Sequence, residues 1–108
     1  MPIQRQVLDE LEFTHTHSVI MDGDMPDFRA VVETSIEASV YMWVSPTDME
    51  DELDVLYVGK AGFGVQRRLR QHRGGFVNSG VGRKNRVLIA DWIARGRRIM
   101  VFARVSAM

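Results

Sequence analysis

The chain contains no cysteine. That removes a disulfide framework, a thiol nucleophile and a cysteine-held zinc, and it fits a reducing, cytoplasmic compartment. Long apolar runs are missing as well: no stretch approaches the roughly 20 apolar residues that a membrane helix needs. The opening MPIQRQVLDELEF lacks the basic-then-apolar order of a signal peptide. The expectation is a soluble cytoplasmic protein without a membrane partner. There is no internal repeat, no low-complexity tract and no linker long enough to divide domains, so residues 1–108 read as a single domain. GKAGFG has neither the spacing nor the Lys-Ser/Thr pair of a Walker loop, which sets nucleotide hydrolysis aside.

Carboxylates are scarce in the second half, and this is one side of a sorting of charge. Residues 1–54 hold two basic against thirteen acidic side chains, a net −11; residues 55–108 hold twelve basic against Asp91 alone, a net +11. A basic half of this strength suits a phosphate-binding surface, since each Lys or Arg that neutralises a phosphate releases counterions. The competing reading is that the two halves pair with each other across the fold.

Hydropathy patterning supplies the elements. VLDELEFTHTHSVIM alternates like a strand around Phe13, His15 and His17, and DGDMP follows as a turn. His15 and His17, two apart, fall on one face of such a strand. DFRAVVETSIEA reads either as a short helix capped by Asp27 or as another extended run. SVYMWV, from Ser39, is β-branched and aromatic with Tyr41 and Trp43 on one face; VLYVG, Val55–Gly59, pairs with it as a hairpin across the acidic loop 45–54. Gly62 and Gly64 turn the chain into a helix over Val65–Arg73, stopped by Gly74 and Gly75. A second helix spans Lys84–Arg95, and RIMVFARV, Arg98–Val105, alternates as a third strand.

Hydrolysis of a phosphodiester needs a group that activates water, cations facing the phosphoryl oxygens and, usually, a carboxylate-held metal. The hairpin and first helix offer Tyr41, Tyr57, Lys60, Arg67, Arg68 and His72, with Arg68 and His72 four apart on one helical face. Taken singly, each tyrosine reads as a hairpin aromatic and the arginine run as a solvated face. Phe63 at the glycine turn reads as a core residue before it reads as a base-stacking one.

At these residues the sequence resembles the GIY-YIG endonuclease family. SVYMWV is similar to the first motif, with Tyr41 as its tyrosine; LYVGKAG is similar to the second, with Tyr57 and Gly59; RRLRQH is similar to the family's Arg-Leu helix, with Arg68 in the arginine position and His72 one turn on. The likeness spans about residues 39–105. It implies an α/β (α+β) domain with a small three-stranded antiparallel sheet flanked by helices, residues 1–38 being an N-terminal extension able to add a strand and 39–105 the nuclease-like core. It implies cleavage of DNA with Mg2+ or Mn2+, with Tyr41, Tyr57, Lys60, Arg68 and His72 as catalytic residues. Arg67, Arg70, Arg73, Arg83, Lys84 and Arg86 would serve as the DNA-binding surface. A homo-oligomer is compatible with it.

The family's metal-binding glutamate follows its third strand, and no glutamate occurs here after Glu52. Asp91 falls on the second helix, before that strand, so no metal ligand is identifiable. The expectation is either a chain cut short of that glutamate or a relative that cannot hold metal in the usual way; the alternative function is a non-catalytic DNA-binding module with a basic cleft.

Overall fold

The computed structural model describes residues 2–32, 39–62, 64–77 and 80–105. Phe63, and residues 33–38 of the segment read as helix or strand, lie outside the described residues.

Among the described residues nine elements follow one another: β1 (Pro2–Gln4), α1 (Arg5–Glu10), β2 (Thr14–Asp22), β3 (Met25–Ala30), β4 (Ser39–Pro46), β5 (Glu52–Ala61), α2 (Val65–Gly75), α3 (Val81–Ala94) and β6 (Met100–Val105). The strands form one antiparallel sheet in the order β1-β5-β4-β6-β2-β3. This overturns the expectation of a three-stranded sheet flanked by helices. The described chain is mostly strand, six strands wide, with short helices. Residues 2–30 are no appendage to the sheet, because they supply β1, β2 and β3. The reason for the misreading is that sheet membership is decided by non-local pairing, which a short alternating segment does not announce.

Each face of the sheet buries its own apolar cluster, as alternation of side chains requires. On one face Tyr41, Trp43, Ala61, Val101 and Ala103 pack under Val65 and Leu69 of α2, Phe76, and Ile89 of α3. On the other, Val44, Leu53, Met100 and Phe102 pack against Leu8 of α1. Cα–Cα neighbours join α3 to β3 and α2 to β3, β4 and β5, so α2 crosses this face of the sheet. The two helices come together backbone to backbone: a β-carbon at Gly82 would collide with the carbonyl of Gly75.

Two bulges decide which side chain faces where. In the hairpin Trp43 opposes Tyr57 but Val44 opposes Val55, leaving Leu56 as the extra residue. In β2, His15 opposes Phe102 and His17 opposes Val101, with Thr16 between them. Parity therefore shifts at Thr16. His15 stacks on Phe102 at 5.4 Å between centroids, whereas His17 reaches Gln66 of α2, so the two imidazoles serve opposite faces. The expected His15–His17 pair on one face does not form.

Candidate active site

The hairpin register brings the two motif tyrosines together. Tyr41 lies across from Gly59, and Trp43 across from Tyr57. A β-carbon at position 59 would stand 2.6 Å from the Tyr41 hydroxyl oxygen, so glycine is the residue that admits the Tyr41 ring. Helix α2 then lowers His72 onto this surface. The rings of Trp43 and Tyr57 stack at 4.5 Å, and His72 stands edge-on to Trp43, Tyr57 and Tyr41 at 4.8, 5.1 and 5.8 Å. The Tyr41 hydroxyl and His72 Nε2 are hydrogen-bonded at 2.5 Å.

Protonation at this pair is set by burial. Tyr41 is fully buried and His72 is 7% exposed. Burial pushes the Tyr41 phenol well above its ordinary value, and the neighbouring Tyr57 hydroxyl adds to the rise, against a smaller opposing pull from Arg68. Burial lowers the His72 imidazole to about 4, and the Arg68 guanidinium adds to that depression. Both groups are therefore neutral at pH 7. We assign the proton to the Tyr41 hydroxyl, which donates to Nε2 as a lone-pair acceptor.

Arg68 is half-buried at the start of α2, where its backbone N–H bonds the Gly64 carbonyl at 3.2 Å. Its Nη1 donates to Gln71 Oε1 at 3.3 Å. With Arg67, Gln71, Ala61, Gly62 and Gly64 it lines a small recess of about 40 Å3 at the strand-to-helix turn. An anion in that recess would meet a guanidinium beside the tyrosine–histidine pair.

Lys60 is placed elsewhere. Tyr57, Gly59 and Ala61 face the helices, so Lys60, between Gly59 and Ala61, points to the opposite side of the sheet. The cations expected to bind nucleic acid divide as well. Arg67 and Arg70 are exposed on α2, and Arg83 and Lys84 are exposed on the first turn of α3. Arg73 is engaged by Asp27 at 3.2 Å and by Asp22 at 4.0 Å. Arg86 donates to the Met25 sulfur at 3.7 Å. With Arg97 on Asp54 at 2.9 Å, the Arg73 ion pairs show that the acidic and basic halves pair in part across the fold. The acidic loop between β4 and β5, residues 47–51, caps the hairpin at its far end from Ser39 and Ala61, so it does not face Arg68.

Magnesium of the kind the resemblance implies finds no fitting donor set. Among the described residues no group of three or more His, Asp or Glu is arranged to hold a metal ion. No carboxylate contributes to the titration of Tyr41 or His72. Among the described residues no helix is long and apolar enough to cross a membrane.

Sequence reading passed over two participants. Trp43, read only as core, is the plate on which Tyr57 stacks, a role implied by its position two residues after Tyr41. Gln66 carried no signal, because its partner His17 is 49 residues away in sequence.

No protein-family model, no curated protein and no solved structure matches this chain.

Proposed function

We propose that Tyr41, Tyr57, Arg68 and His72 form a phosphodiester site of GIY-YIG type and that the chain hydrolyses DNA there. The observation that carries the reading is convergence: motif residues on β4, β5 and α2 meet in one ring cluster, and Gly59 is shaped to the Tyr41 ring. Cross-strand packing alone would need neither that glycine nor a hydrogen-bonded histidine.

In this reading Arg68 holds the phosphate. Tyr41 is fully buried, so the half-buried Tyr57 is the tyrosine that faces the incoming water. A proton leaves water for the Tyr57 oxygen, the Tyr57 proton passes to Tyr41, and the Tyr41 proton passes to His72 Nε2. The water oxygen forms the new P–O bond while the bond to the leaving oxygen breaks, and the leaving oxygen takes a proton from solvent. His72, depressed to about 4 beside Arg68, resists becoming imidazolium in the free protein. A phosphate on Arg68 offsets that field and makes the imidazole a better proton acceptor when substrate is bound.

A second reading, a DNA-binding module without hydrolysis, is favoured by one observation, the lack of a carboxylate set for a metal. Supercoiled-plasmid conversion with Mg2+ or Mn2+ separates the two. Nicking that disappears in Tyr41→Phe, Tyr57→Phe and Arg68→Ala supports hydrolysis. Salt-sensitive DNA binding with no nicking by the parent chain supports the second reading. Neither nicking nor binding removes both.

A further inference from the structure

Helix α2 carries a second polar site on a different flank from Arg68 and His72. Between α2 and β3 lies a recess of about 170 Å3 lined by Asp27, Phe28, Gln66, Leu69, Arg70 and Arg73. Positions 66, 69, 70 and 73 recur at three and four, so they share one helical face. The volume falls below the roughly 300 Å3 at which sites for drug-sized ligands begin. It suits one planar ring system.

The lining has a definite chemical sense. Phe28 is half-buried and braced by Trp43 and Phe76 at 5.7 and 6.0 Å between centroids, which leaves an aromatic surface at the recess. Gln66 is oriented from below: its Oε1 meets His17 Nε2 at 2.6 Å, and the fully buried His17 is anchored on its other nitrogen by Thr16 Oγ1 at 2.9 Å. With Oε1 engaged, the amide of this exposed residue keeps its two N–H donors for a ligand. Arg70 adds a second donor and has no ion pair among the described residues. Asp27 is the acceptor. Its Oδ1 is held by Arg73 at 3.2 Å, and the carboxylate retains lone pairs for a further partner.

We propose that this recess receives one unstacked nucleobase bearing an exocyclic amino group. The base lies against Phe28, accepts from Gln66 and Arg70 at a ring nitrogen or carbonyl, and donates its amino hydrogen to Asp27. The inference deepens the DNA reading and rests on it for the polymer. It names the substrate as a strand that carries an unpaired base on the flank of α2 turned away from the phosphate held by Arg68.

The test is an amide-resolved NMR titration of the full chain with dCMP and, separately, dUMP, which share sugar and phosphate and differ on the ring in the amino or oxo group at C4 and in N3, an acceptor in dCMP and a donor in dUMP. Saturable shifts of the Gln66 side-chain amide and of the α2 backbone are expected, with dCMP bound about tenfold more tightly. Asp27→Asn should abolish that preference, and Gln66→Ala should weaken both ligands. Three results overturn the proposal: no saturable shift, shifts centred away from α2 and β3, or binding that both variants leave unchanged. Cleavage plays no part in the titration. Bound nucleotides without plasmid nicking would retire the hydrolytic reading alone, and nicking without nucleotide binding would retire the recess alone.

Discussion

Tyr41 and Gly59 face each other across the β4–β5 hairpin, and the Tyr41 ring fills the space that a side chain at 59 would need. The second motif's glycine is thus explained by packing. Its backbone φ does not fall in the left-handed region, so the requirement comes from the ring above it.

Gly59→Ala tests this relationship. The added methyl must displace the Tyr41 hydroxyl from 2.6 Å, and overpacking of this kind costs about 1–3 kcal/mol. Urea unfolding should show that loss, together with a fall in any DNA-directed activity as the Tyr41–His72 bond is pushed apart. Unchanged stability would mean that the ring has room the structure does not show.

The neutral state of His72 gives a second handle. Arg68→Ala removes the nearby guanidinium while leaving burial in place, so the His72 imidazole should titrate higher than about 4 yet still below its ordinary 6.5. An oligonucleotide bound at Arg68 should raise it in the wild-type chain. The His72 ring proton followed by NMR across pH reports both. A titration indifferent to Arg68 would separate the two residues electrostatically.

Stability should depend on acid in a defined window. His72 has a folded value near 4 against 6.5 unfolded, so between these the unfolded chain binds a proton that the folded chain refuses. The contribution is full above about pH 6.5 and is lost as pH falls toward 4, about 3 kcal/mol across the window. His15 and His17, both lowered chiefly by burial, act in the same direction. Denaturant midpoints at pH 7 and pH 4.5 should differ markedly in the wild type and less in His72→Gln. Equal pH slopes for the two proteins would assign the acid sensitivity elsewhere.

Arginines on α2 should differ in their contribution to DNA binding. Arg73 is engaged by Asp22 and Asp27, so its charge is already partly neutralised, while Arg70 has no ion pair among the described residues. On a plot of log affinity against log salt, Arg70→Ala should reduce the slope by about one and Arg73→Ala by clearly less. Equal reductions would show that the carboxylates yield Arg73 to the phosphates.

Residues 39–105 were largely legible because their signals are local. Period-two alternation marks β4, β5 and β6, glycines bracket α2, and the spacing of Tyr41, Tyr57, Arg68 and His72 specifies a hairpin followed by a helix. The observed α3 begins at Val81, three residues before the Lys84 expected from its apolar repeat. Arg83 and Lys84 in its first turn, and the lack of an acid there, disguised that start, since cations oppose the helix dipole at this end.

What the sequence determined by itself is the local elements of residues 39–105 and the alternation that marks β2, the sorting of charge to −11 and +11, and the candidate residues at motif spacing; α1 over Arg5–Glu10 and β1 gave no signal that was read. Only the tertiary structure decided that β1, β2 and β3 join the same sheet and that His17 lies beneath Gln66. These outcomes depend on strand pairing between distant segments and on the bulge at Thr16, where a single extra residue reverses the facing of side chains relative to the partner strand.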